Sequence, residues 1–267
     1  MGASLHILDP KKPKKAIGHG EVIFKNVSFS YPDADVPVLY NISFTAKPGE
    51  TTAIIGGTGS GKSTVVNLIP RFFDVTSGEI LIDGVNVKDI KKKDLRRRIG
   101  YIPQKGILFS GTIESNIKYG KPNATMHEVQ EAARVAQATE FISKLEDGYN
   151  SHVAHGGSNF SGGQKQRLAI ARALLINPDI YIFDDSFSAL DFETDYKLRE
   201  ELKTITKNST VIIVAQRIGT MLHADKIIVL DNGRVVGIGK HKELLKNCRI
   251  YKEIANSQLS EKELKNE

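Results

Sequence analysis

The sequence predicts an α/β fold: a mixed sheet carrying helices, an antiparallel β subdomain on its N-terminal side, and an α-helical subdomain inserted in the middle. Three observations predict it. A short β-branched run, Thr51 to Ile55, ends in a glycine-rich segment followed by a helix-compatible stretch. Asp83-Gly84 lies between apolar residues in Ile80 to Val87, the strongest short-range hairpin signal. Between Gly106 and Pro178 helix caps replace strand patterns, and alternating buried strands and helices follow.

The elements follow in order. Glu21 to Tyr31 is strand-like, and Val38 to Phe44 forms a second apolar run after a Pro-Asp turn. Pro48-Gly49 breaks the chain before the strand at Thr51. Thr125 with Glu128 reads as a capping box, and Ser161 caps a helix carrying Leu168, Ile170, Ala171, Leu174 and Leu175. Ile180 to Phe183, Val211 to Val214 and Ile227 to Leu230 read as buried strands, and Asp231-Asn232-Gly233 turns a final hairpin. From Ile250 onward the chain is polar and lysine-rich, a helix that frays. The expected organisation is a linker over 1–20, a main domain over 21–245 with the helical subdomain at about 105–178, and a helical tail over 246–267.

Composition narrows the class. A chain of 267 residues supports one sizeable core rather than two large domains. With 40% hydrophobic and 25% charged residues it is neither collagen-like nor fully disordered. The lone Cys248 excludes an internal disulfide and a thiolate metal cluster. Apolar runs such as Val211 to Ala215 fall far short of the roughly 20 residues that span a bilayer. A net charge of +6 permits an acidic partner without requiring one, and Lys91 to Lys93 with Arg96 to Arg98 reads as a solvated face.

The chemistry begins at Gly56-Gly57-Thr58-Gly59-Ser60-Gly61-Lys62-Ser63. This matches G-x-x-x-x-G-K-S directly after a strand and before a helix. The glycines let backbone N–H groups converge on phosphates, and the helix directs its positive end at them. Lys62 reaches the β- and γ-phosphates of a nucleotide, while Ser63, followed by Thr64, offers a hydroxyl to Mg²⁺. A second strand, Tyr181-Ile182-Phe183-Asp184-Asp185, presents two carboxylates at its carboxyl end, where open α/β sheets bind ligands. Asp184 is the candidate for magnesium and Asp185 for polarising attacking water.

Phe160-Ser161-Gly162-Gly163-Gln164, followed by Ala171-Arg172-Ala173-Leu174, resembles the signature motif of ATP-binding cassette (ABC) proteins, with Phe160 in the usual Leu place. Gln104 resembles the Q-loop glutamine, Ser188-Ala189-Leu190-Asp191 the D-loop, and Tyr31 the aromatic that stacks on adenine. The resemblance covers about Glu21 to Leu245 and implies a P-loop NTPase core that binds ATP and Mg²⁺. Tyr31, Val38 and Gly57 to Thr64 are then expected on the nucleotide, with Ser63, Gln104 and Asp184 around the metal. It also implies a head-to-tail dimer, in which Ser161, Gly162, Gly163 and Gln164 face the γ-phosphate held by a second nucleotide-binding domain. Gly111 to Ile117 and Asp94-Leu95-Arg96 resemble exporter cassettes. That implies a transmembrane domain of the same transporter as partner and a place at the cytoplasmic face of the membrane.

Two positions depart from the family pattern. Asp185 stands where glutamate is usual, and Gln216 where the H-loop histidine is expected. The lost methylene withdraws the carboxylate by about 1 Å, a misplacement that can cost on the order of 100-fold in rate. Glutamine cannot become cationic or shuttle a proton as imidazole can. The stretch Ser151 to Gly157 also departs from the usual acidic-basic sequence. The expectation is the degenerate half of a heterodimeric exporter, with Asp185, Gln216 and Gln104 at its catalytic positions, weakened by Asp185 and Gln216 yet lending its signature to another chain. An active homodimeric motor and an ATP-sensing module stay open. A DNA-repair or translation role fits less well without long coiled-coil insertions or a second cassette, so no nucleic-acid partner is expected.

Overall fold

A computed structural model describes residues 7–259. The chain opens with strands β1 (Val22–Phe29), β2 (Leu39–Ala46) and β3 (Thr51–Gly56), then helix α1 (Lys62–Leu68), the hairpin β4 (Ser77–Ile82) and β5 (Val85–Asn86), helix α2 (Lys92–Arg97) and strand β6 (Ile99–Ile102). The middle holds β7 (Gly111–Thr112), α3 (Ile113–Ile117), α4 (Met126–Val135), α5 (Thr139–Ser143), β8 (His152–Val153) and the long helix α6 (Gly162–Ile176). Then come β9 (Ile180–Asp184), α7 (Phe192–Ile205), β10 (Thr210–Val214), the hairpin β11 (Lys226–Asp231) and β12 (Arg234–Gly239), and helices α8 (His241–Asn247) and α9 (Arg249–Gln258). The fraying tail predicted from Ile250 falls on α9, and its end lies outside the described residues.

The central sheet runs β12-β11-β3-β10-β9-β6, parallel except for β12, and an antiparallel sheet β2-β1-β4-β5 stands beside it. The strands β9 and β10 are buried at every residue, as continuous runs such as Thr210-Val211-Ile212-Ile213-Val214 require when both faces are covered. One core lies between the two sheets and α1, with Phe24, Ile54, Val66 and Ile212 among its members. The other lies under the helical subdomain, with Ile113, Leu168, Tyr181 and Phe183.

Both hairpins form as the turn residues dictate. Asp83 (φ 47°) with Gly84 (φ 77°), and Asn232 (φ 46°) with Gly233 (φ 72°), hold the paired positive φ that a tight two-residue turn needs. A side chain on Gly233 would meet the Val38 carbonyl oxygen at 2.1 Å, and its own N–H donates to the Ser60 carbonyl over 3.2 Å. The second turn therefore clasps β2 against the glycine-rich loop.

Two elements escape the sequence pattern. Strand β6 has only four residues, interrupted by Gly100, and becomes a strand through parallel pairing with β9. The helical subdomain also contains the two-stranded ribbon β7-β8, where Gly111 pairs with Val153. Residues 7–20 run along α2 and are pinned by Arg98, which donates to the carbonyls of Ala16 and Gly18 (both 3.1 Å) and to Asp179 (2.6 Å) and Asp83 (2.5 Å).

Candidate nucleotide site

The loop between β3 and α1 sits at the carboxyl edge of the central sheet. Gly59 (φ 78°) and Gly61 (φ 98°) hold left-handed backbone, and a side chain added at Gly57 or Gly59 would meet nothing within 4 Å. Helix α1 has no side-chain cap, so its first N–H groups are offered to whatever lies in front of them. The Lys62 ammonium donates to the carbonyls of Gly56 (2.7 Å) and Gly57 (2.8 Å) and to Ser60 Oγ (3.4 Å). Burial pulls the Lys62 pKa below its ordinary value, against the opposing pull of Asp185 and then Asp184.

A cleft of about 320 Å³ opens over this loop. Val38, Thr58, Gly59, Gly61, Lys62, Ser63, Thr64, Gln104, Asp185 and Gln216 line it, all of them predicted site residues, together with Val214. Asp184 lies just behind, buried, and its Oδ1 accepts from Ser63 Oγ over 2.9 Å. Its Oδ2 faces Tyr101 Oη at 2.9 Å, and the same hydroxyl lies 2.9 Å from Asn67 Oδ1. One phenolic proton serves two acceptors. Burial first, and Asp184 next, push the Tyr101 pKa well above the ordinary tyrosine range, so this hydroxyl remains a donor. Sequence reasoning did not single out Tyr101 and Asn67 for this site; only the β6–β9 register aligns Tyr101 with Ile182, two residues before Asp184.

Asp185 takes a left-handed conformation (φ 49°) at the end of β9. Its Oδ2 accepts from Gln104 Nε2 over 3.0 Å and from Gln216 Nε2 over 3.2 Å. Burial raises its pKa, opposed by the Gln104 hydrogen bond. The three positions where hydrolysis was expected thus meet at one oxygen.

Other predicted residues stand elsewhere. Tyr31 does not line the cleft: its hydroxyl lies 3.0 Å from Thr64 Oγ1 and its ring packs edge-on against Phe29 and Phe73, with centroids 4.8 and 5.2 Å away. Ser161 and Gln164 form the predicted capping box at the start of α6: Gln164 N donates to Ser161 Oγ (3.2 Å) and Ser161 N donates to Gln164 Oε1 (2.9 Å). With Gly162 and Gly163 they lie outside the cleft. The Gln104 loop is nevertheless tied to α6, because Gln166 Nε2 donates to the Pro103 carbonyl over 3.0 Å and Gly106 packs against the Lys165 backbone. A side chain at Gly106 would meet the Lys165 carbonyl carbon at 2.6 Å.

A family model described as ABC transporter matches residues 39–188. The chain belongs to the ABC transporter family. It is 50% identical over 253 residues to an uncharacterised ABC transporter ATP-binding protein of Mycobacterium tuberculosis, covering 94% of this chain and 43% of that protein. A Staphylococcus aureus protein named for multidrug export as an ATP-binding/permease protein is 48% identical over 242 residues, covering 91% of this chain and 42% of that one. Among solved structures, a bacterial Atm1-family ABC exporter with ATP bound superposes with a TM-score of 0.93 at 38% identity, over 97% of this chain and 45% of that chain. The ABC chain described here thus spans less than half the length of these relatives. No helix among its described residues is long and apolar enough to cross a membrane.

Proposed function

We propose that this domain binds MgATP and acts as one nucleotide-binding domain of an ABC exporter, at the cytoplasmic face of the membrane and attached to a transmembrane domain of the same transporter. In this reading it closes head to tail on a second nucleotide-binding domain carried by a different chain. Its own cleft hydrolyses ATP slowly, while Ser161, Gly162, Gly163 and Gln164 complete the partner's site. The residues fit a triphosphate. Uncapped N–H groups of α1 and the open faces of Gly57 and Gly59 leave room for it, and Lys62 already holds its ammonium among oxygen acceptors. Magnesium, when bound, would spread the charge of the phosphates, with Ser63, Gln104 and Asp184 to hold it.

The observation that carries slow hydrolysis is the Asp185 carboxylate, whose Oδ2 accepts two amide N–H groups. A general base needs an oxygen aimed at the attacking water, and Oδ2 of this shortened side chain is instead held by two amide donors, although burial keeps the carboxyl's pKa raised. Neither Gln104 nor Gln216 can take the proton in its place. The named activities of the relatives support an exporter role, and the ATP-bound neighbour supports nucleotide binding.

The test is single-turnover hydrolysis of MgATP by this chain beside Asp185→Glu and Asp185→Glu/Gln216→His, with ATP binding measured separately. Firm binding, very slow hydrolysis and a gain of about 100-fold in the double variant are expected. Fast hydrolysis by the unmodified chain, rising cooperatively with protein concentration, would instead make it an active homodimeric motor.

A further inference from the structure

Residues 7–20 form a strap laid along α2. Asp9 Oδ1 accepts from Lys92 N over 2.8 Å, supplying a helix cap that Lys91, at the N-cap position, does not provide. Lys92 Nζ donates to the Ile7 carbonyl over 2.5 Å. Lys14 N donates to the Asp89 carbonyl over 2.8 Å, and its ammonium pairs with the Asp89 carboxylate at 2.7 Å. These contacts bring together two basic runs that are far apart in sequence.

From this juxtaposition we infer that the strap and α2 form one cationic face that binds anionic lipid headgroups at a bilayer surface. Lys11, Lys12 and Lys15 on the strap are exposed, as are Lys91, Lys93 and Arg97 beside them. Among the described residues none of these six makes an ion pair. Of the nearby carboxylates, Asp89 is paired with Lys14, while Asp9, bonded only to a neutral backbone N–H, and exposed Asp94 together offset two of the six charges. Four to eight clustered cations suffice to hold a segment on an anionic leaflet.

The apolar side chains decide between lipid and nucleic acid. Leu8 is 75% exposed and Ile17 is 86% exposed, bracketing the lysines of the strap. A headgroup layer accepts both the charges and the apolar side chains that dip below it. A phosphodiester backbone takes only the charges. The inference takes from the exporter reading only that a membrane is near.

Co-sedimentation of the chain with vesicles tests it, using phosphatidylcholine alone or with about 30% phosphatidylglycerol. Binding to the anionic vesicles should be at least about tenfold stronger and weaken with salt. Lys11→Gln/Lys12→Gln/Lys15→Gln should abolish most of it. Leu8→Ser/Ile17→Ser should reduce it about threefold or more at unchanged charge, consistent with lost apolar burial. Equal binding to both vesicles, or an indifferent triple variant, overturns the inference. So does displacement by millimolar inorganic phosphate, which would mark a free-phosphate site, and so does tight binding of duplex DNA insensitive to Leu8 and Ile17. ATP binding measured on the same samples should not change with these variants, so the lipid inference and the nucleotide reading fail separately.

Discussion

Gln216 Nε2 donates to Asp185 Oδ2 over 3.2 Å, and Gln104 Nε2 reaches the same oxygen at 3.0 Å. Two neutral donors on one carboxylate oxygen leave a group whose pKa is still raised, because burial outweighs them. The folded chain therefore holds this proton more tightly than the unfolded chain, whose carboxyl keeps the ordinary value of 3.8. Between that value and the raised one the native state binds more protons, so Asp185 makes stability fall as pH rises through the window. Above it the full penalty persists. Asp185→Asn removes the charge, keeps an Oδ1 to accept from both amides, and tolerates a φ of 49°. Near pH 7 the variant should melt about 1–3 °C higher, and its advantage should shrink as the pH falls towards 4. Melting curves across that range decide it. A variant that melts lower at neutral pH would show that the carboxylate charge stabilises the fold.

Tyr101 holds the other carboxylate. Asp184 is buried, with Ser63 Oγ on one oxygen and Tyr101 Oη on the other. Were Ser63 to turn towards a bound metal, Tyr101 would still donate to Asp184 and orient it. Tyr101→Phe removes that donor and leaves Asn67 Oδ1 without it as well. We expect about a fivefold loss of affinity for MgATP, close to 1 kcal/mol, with affinity for metal-free ATP almost unchanged. Nucleotide titrations with magnesium and with a chelator measure both. Equal losses in the two would mean that Tyr101 shapes the loop rather than Asp184.

How much of this was legible in the sequence depends on the range of the interaction. The loop at Gly56 to Ser63, the hairpin turns at Asp83 and Asn232, and the caps Thr125 and Ser161 are set by neighbours a few residues away, and each forms as its residues require. Most residues that line the cleft were likewise readable as motif positions. Their convergence was not: Gln104 lies 81 residues and Gln216 lies 31 residues from Asp185. Only the pairing of β10 with β9, Val214 beside Asp184, sets Gln216 near Asp185. Strand β6 hid for the same reason, since four residues around Gly100 have no period to read until β9 pairs with them. For Tyr31 the sequence offers an aromatic, and the structure adds that its ring meets Phe29 and Phe73 edge-on while its hydroxyl reaches Thr64 of the cleft.

The signature helix is also anchored away from the cleft, and the anchor can be removed. Asn116 is 1% exposed; its Oδ1 accepts from Phe109 N (2.8 Å) and Arg172 Nη2 (2.9 Å), while its Nδ2 donates to the carbonyls of Phe109 (2.8 Å) and Thr112 (2.9 Å). Arg172, on α6, donates further to the carbonyls of Asn116 and Ile107, both at 2.9 Å. Its guanidinium lies 5.1 Å from the Phe109 ring and 5.8 Å from that of Tyr119, which stack on each other. Burial lowers the Arg172 pKa, so the cation depends on these acceptors for its solvation. Asn116→Ala strands an N–H, two carbonyls and one guanidinium donor at once, and should cost about 3 kcal/mol of stability. Denaturant unfolding measures that loss, and limited proteolysis should then cut between Gly106 and Tyr119. A loss below about 1 kcal/mol would mean that water replaces the amide and that the aromatic stack alone fixes the segment to α6.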